Sequence, residues 1–216
     1  MIRYGLIDLV HLTDGARLVE IYARGVQASL TREYGDAPWA RAYRQIAADW
    51  ASYFADLDYG GEEGMADMRE GYYRVARALF TLTRQPEPEQ PQLTALARTL
   101  AQRAPTYGDA FTETGREHIE TTRLTLIALS YHWGDHARAI IAGAGLNARF
   151  QAVVGADTVE RYTRDTRYFQ LVCQHCTLEP AQCLLIEPDA RIRQSAARIG
   201  IHTAPDLTAL QPFASA

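Results

Sequence analysis

The sequence predicts an α/β fold: a parallel sheet covered by helices, with an all-helical segment inserted after the first strand. Two observations carry this. Through the second half of the chain, short β-favouring apolar runs alternate with helical stretches across short loops, the pattern of strands joined by crossovers. Between the first such run and the second lies a long stretch without a convincing strand, where large apolar residues recur every three or four positions. That is the spacing of helices packing on one another. The expected division is a core of residues 1–17 and 98–216 and a helical cap of residues 18–97 lying over the sheet's edge.

Taken in order, "YGLIDLV" (Tyr4–Val10) is nearly continuous in apolar residues and predicts a buried strand. Asp14 can cap the helix of "GARLVEIYARGVQASLTREYG". "APWARAYRQIAADWASYFADL" sets Trp39, Tyr43, Ile46, Trp50 and Phe54 on one helical stripe, and "MADMREGYYRVARALFTL" repeats it with Met65, Met68, Tyr72, Val75 and Leu79. Gly60, Gly61 and Gly64 separate these helices. Packing in a small bundle explains the aromatic stripes better than a ligand box. A proline-rich turn, Arg84–Gln92, precedes the helix of "LTALARTLAQRA". Further strands are expected at "LTLIALS" (Leu124–Ser130), "FQAVVGAD", "QCLLIEPD" and "GIHTA". Helices between them fall in "GDHARAIIAGAGLNARF", "TRYFQLVCQHCTLEP" and "ARIRQSAARIG". The core is therefore Rossmann-like.

Composition excludes several classes. Lys and Arg number 22 against 26 Asp and Glu, a formal charge of −4, which gives no electrostatic case for nucleic acid or anionic lipid. The apolar runs are too short to span a bilayer, and the N-terminus lacks a secretion pattern. Three cysteines do not suggest a disulfide framework. A soluble, cytoplasmic protein is expected, and aromatic helices in the cap favour a homodimer.

Open parallel sheets place reactive groups at the carboxyl ends of their strands. Asp8, Ser130, Asp157, Glu187 and Asp189 fall there. Tyr131 and His132 follow the second strand and His11 the first, where they could line a pocket between core and cap. His132 could act as a base, or merely cap a helix. Cys173 and Cys176 have the spacing of half a zinc site, but they lie within a helix, and Cys183 and His175 would not complete a tetrahedron; free, partly buried thiols are expected. No phosphate cradle or dinucleotide fingerprint occurs.

The run from "LIALSYHWGDH" through "FQAVVGAD", "RYFQLV" and "LEPAQCLLIE" to "AARIG" resembles the haloacid dehalogenase-like (HAD-like) superfamily, with a helical cap after the first strand. The resemblance covers nearly all of the chain. It implies Asp8 as nucleophile and Ser130 as the second-strand hydroxyl. It also implies a lysine before the third long helix and magnesium held by carboxylates after the fourth strand. This chain departs from that pattern. The acid/base position two after Asp8 is Val10, the lysine position is Thr163, and the usual aspartate after the fourth strand is Pro188, between Glu187 and Asp189.

These departures have a chemical meaning. A carboxylate attacking a phosphate needs cations to offset repulsion, and an alkoxide leaving group needs a proton donor within about 3 Å. Val10 cannot donate or accept a proton. Arg161 and Arg164 lie near the missing lysine and could supply a cation or bind substrate, although a loop arginine is more often solvated. No cofactor is expected; magnesium would find its oxygen ligands in Asp8, Glu187 and Asp189. Two readings follow. One is a HAD-like protein that has lost magnesium-dependent phosphatase chemistry and binds a small ligand or a protein partner. The alternative is an atypical, dehalogenase-like hydrolase with Asp8 as nucleophile and a leaving group that needs no acid.

Overall fold

The computed structural model describes residues 1–59 and 64–214; Gly60 and Gly61 lie outside the described residues. In chain order β1 (Tyr4–Asp8) leads into α1 (Gly15–Tyr34), α2 (Trp39–Ala48), α3 (Trp50–Phe54), α4 (Gly64–Thr83) and α5 (Gln90–Arg103). There follow α6 (Glu113–Thr121), β2 (Thr125–Leu129), α7 (Gly134–Gly143), β3 (Phe150–Val154) and α8 (Thr166–Cys176). The chain closes with β4 (Cys183–Ile186), α9 (Ala190–Ala197) and β5 (His202–Ala204). Two compact units form: Met1–Asp14 with Phe111–Ala137 and the chain from Leu146 on, and Gly15–Ala110 with Arg138–Gly145. The expected division at 97/98 falls inside α5, a helix whose Leu93, Leu96, Ala97 and Leu100 all belong to the core of the helical unit.

In the first unit the described residues form a five-stranded sheet of order β3-β2-β1-β4-β5, every pair parallel. β1 is central, and its Gly5, Leu6, Ile7 and Asp8 are all buried, as expected of a strand covered on both faces. Leu6, Ile127, Leu129, Val154 and Leu185 pack with Phe169 and Val172 of α8. The register sets Asp8 beside Leu129 and Ile7 beside Ile186. The residues that end β1 and follow β2 and β4 therefore reach the same carboxyl edge, where the strand order reverses direction.

β1 is shorter than the run that predicts it. It stops at Asp8, and Leu9–His11 form a 3-10 turn, so Val10 is 59% exposed rather than buried. The cause is local: the Asp8 carboxylate accepts a hydrogen bond from the Val10 N–H at 2.9 Å and turns the chain out of the sheet. α6 has no counterpart in the sequence reading. It buries only Gly115 and Ile119, too little for a visible apolar stripe, and starts where Thr112 Oγ1 accepts from the Gly115 N–H at 3.0 Å.

In the helical unit, Trp39, Leu79, Phe80 and Leu93 form the centre of the core. The Trp39 and Phe80 rings meet edge-on, their centroids 5.1 Å apart. Gly35, at φ +85°, ends α1, and its carbonyl accepts from Trp39 Nε1 at 3.1 Å. The expected single helix through Phe54 is broken at Asp49 (φ −128°, ψ 45°) into α2 and α3. The break rotates Trp50 off the stripe, leaving it 43% exposed. Among the described residues no helix is long and apolar enough to cross a membrane.

Candidate functional site

Three short devices at the carboxyl edge of the sheet aim its side chains. Asp8 Oδ1 is held by the Val10 N–H, which leaves Oδ2 directed elsewhere. Ser130 receives a backbone tie, its N–H donating to the Val154 carbonyl at 3.0 Å, while its hydroxyl accepts from the His132 N–H at 3.0 Å. Glu187 Oε1 accepts from the Asp189 N–H at 2.9 Å. In each case a polar side chain at a strand end caps the turn that follows it.

The loop before α8 supplies the fourth member. Asp165 caps α8 by accepting from the Tyr168 N–H at 2.9 Å and also pairs with Arg161. Glu160 takes a left-handed backbone, φ 49°, unusual for a residue with a side chain. The loop so fixed drives Arg164 inward until its side chain is 1% exposed. Its Nη2 forms an ion pair with Asp8 Oδ2, and its Nη1 lies 3.8 Å from Glu187 Oε2. The guanidinium stands 3.8 Å from the centre of the Tyr131 ring and 5.5 Å from that of Tyr168, a cation–π arrangement made strong by burial. Tyr131 in turn packs on Tyr162, ring centres 5.4 Å apart.

The electrostatics follow from this packing. Burial pushes the Arg164 pKa down, but the Asp8 charge, the two tyrosines and Glu187 outweigh it and raise it; the guanidinium is cationic at every ordinary pH. Burial likewise pushes the Glu187 carboxyl up. The His11 ring, the Asp189 N–H and the Arg164 charge reverse this and hold it below the usual glutamate range. His11 Nε2 is 3.4 Å from Glu187 Oε2. Burial raises the phenols of Tyr131 and Tyr168 to about 12 each, so both rings stay neutral. Nε and Nη1 of Arg164 and the hydroxyl of Tyr168 are buried without a hydrogen-bond partner.

No family model matches the chain, and no curated protein matches it in sequence. Solved structures do match it in shape. The L-2-haloacid dehalogenase of Xanthobacter autotrophicus is 18% identical with a TM-score of 0.53, over 94% of this chain and 76% of that one. The defluorinating L-2-haloacid dehalogenase Rha0230 is 16% identical at 0.58, over 94% and 80%. The HAD-hydrolase-type protein YfnB of Bacillus subtilis, solved with magnesium bound, is 12% identical at 0.63, over 98% and 97%. The chain has a HAD-like fold. Identities this low speak to fold and not to activity.

Within the HAD-like sheet unit, the residues singled out from sequence have separate fates. Asp8, Arg164, Tyr131 and Glu187 converge, and His11 joins through Glu187. Ser130 reaches the same edge, its hydroxyl engaged by its own turn. His132 keeps an exposed edge while its ring meets His136 at 4.7 Å; lost hydration lowers its pKa, with the Asp8 charge opposing. Arg161 turns to Asp165, Asp189 caps α9 by accepting from the Arg191 N–H at 2.7 Å, and Asp157 holds the Gly134 N–H at 2.8 Å. Tyr162 and Tyr168 were missed. Their positions two before and four after Arg164 were the available signal. Cys173 and Cys183 are free and buried, Cys176 half-buried. Among the described residues no three His, Cys, Asp or Glu side chains gather to hold a metal.

Proposed function

We propose that this HAD-like protein does not carry out magnesium-dependent phosphate transfer and that its sheet-edge site binds a small ligand rich in acceptor atoms. The observation that carries the reading is the buried group Asp8–Arg164–Tyr168. Asp8 is already paired with Arg164 Nη2, whereas Arg164 Nε and Nη1 and the Tyr168 hydroxyl have no hydrogen-bond partner. Buried donors without partners cost about 1–3 kcal/mol each, and a ligand bringing oxygen or halide acceptors would recover that. The exposed isopropyl group of Val10 supports the same reading, because no acid stands at that position to protonate an alkoxide.

A second reading is favoured by Arg164 itself. It sets a fixed counter-charge directly against the carboxylate that would attack, the arrangement an anionic nucleophile at this strand end would need. Attack by a carboxylate oxygen on a carbon bearing a halogen would form an ester and release halide, with no proton needed. Water would then cleave that ester, with the His132 ring, its pKa lowered, as acceptor of the water's proton. Among the proteins of similar shape are L-2-haloacid dehalogenases.

An activity screen separates the two. Wild type and Asp8→Asn are offered phosphate monoesters and 2-halo acids, each with and without magnesium, and protein purified from its own cell is weighed by native mass spectrometry. The binding reading expects no turnover and a retained small molecule. Halide release abolished by Asp8→Asn would establish the hydrolase instead. Magnesium-stimulated phosphate release would overturn both.

A further inference from the structure

The fold family implies magnesium at the carboxyl edge of the sheet, between the first-strand aspartate and an acid after the fourth strand. The residues present do not fit it. Asp8 Oδ2 is paired with Arg164 Nη2, and Asp8 Oδ1 with the Val10 N–H. Glu187 Oε1 accepts from the Asp189 N–H, and Glu187 Oε2 lies 3.4 Å from His11 Nε2 and 3.8 Å from Arg164 Nη1. Each oxygen of both carboxylates therefore already faces a nitrogen. Asp189, the remaining acid, is exposed and spent on capping α9. Magnesium requires near-octahedral oxygen ligands at about 2.0–2.1 Å, and here an arriving ion would meet a fixed positive charge between its two ligands.

We infer that Arg164 is a tethered cation that takes the divalent ion's place between Asp8 and Glu187 and excludes it. The inference holds whether or not Asp8 still reacts, because it concerns which cation the carboxylates face. A guanidinium differs from a metal in three respects that matter. It cannot be removed by a chelator, it keeps its charge at any ordinary pH, and it presents donors rather than open coordination positions. Arg164 also cannot withdraw cheaply. It is enclosed between Tyr131 and Tyr168, and its departure would leave Asp8 buried without a counter-charge.

The test is manganese binding, read by the electron paramagnetic resonance signal of the free ion and by the melting temperature. Wild type should take up no manganese and show no saturable rise in melting temperature. Arg164→Met, which keeps much of the side chain's length without its charge, should take up one ion per chain, and adding Asp8→Asn should abolish that uptake. Manganese bound by wild type and lost in Asp8→Asn would overturn the inference. So would a folded Arg164→Met that takes up none. If Arg164→Met does not fold, the wild-type melting curve still decides: a saturable rise that Glu187→Gln removes overturns the inference, and a flat response supports it.

Discussion

Arg164 and Asp8 form an ion pair at the carboxyl end of the central strand, with both side chains almost wholly withdrawn from solvent. Removing one member of such a pair strands the other in a poorly polarisable interior. Arg164→Met is therefore expected to cost about 3–5 kcal/mol of stability. Arg164→Met with Asp8→Asn should cost less than the two single changes together. Urea unfolding of the four proteins measures the coupling; strict additivity would show that the pair contributes nothing as a pair.

Tyr131 gives a second, smaller expectation. Its ring lies 3.8 Å from the Arg164 guanidinium, so Tyr131→Leu should lose about 0.5–2 kcal/mol through the cation–π contact. The loss should shrink markedly when measured in an Arg164→Met background. An equal loss in both backgrounds would assign the effect to packing alone.

His136 makes stability depend on pH. It is buried, and burial, aided by the neighbouring His132, holds its pKa well below the ordinary 6.5. The folded state keeps this ring neutral, while the unfolded chain takes up a proton as pH falls below 6.5. Stability from this source is therefore complete above 6.5 and lost on acidification, at up to about 1.4 kcal/mol per pH unit. Glu187, held below its ordinary 4.5, has the same sign but acts at lower pH. Urea midpoints taken from about pH 7.5 to about pH 5 should fall, and His136→Gln should flatten that slope. An unchanged slope would place the linkage elsewhere.

The helical unit has its own test. A Cβ on Gly25 would lie 2.4 Å from both Cα and the carbonyl oxygen of Ala104, whereas one on Gly15 would meet nothing within 4 Å. Gly25→Ala is expected to lose about 1–3 kcal/mol by overpacking, despite the better helix propensity of alanine. Gly15→Ala should be close to neutral. Thermal melts of the two variants measure the difference; equal melting temperatures would mean that α1 and the backbone at Ala104 can move apart at little cost.

The sequence by itself determined the succession of the five strands along the chain, the helical insertion and the acid that ends β1. Those follow from apolar periodicity and turn chemistry, which are local. It could not show the break at Asp49, because the stripe from Trp39 to Phe54 continues through it in register. Nor could it show α6, whose two buried residues leave no pattern. Which cation meets Asp8 was decided only by the tertiary structure. Arg161 and Arg164 are three residues apart on one loop and look alike in sequence. The left-handed turn at Glu160 and the cap at Asp165 engage the first at the loop and send the second between two tyrosines. That choice depends on where a loop's backbone is pinned, and the residues that complete it, Tyr131 and Glu187, come from turns far away along the chain.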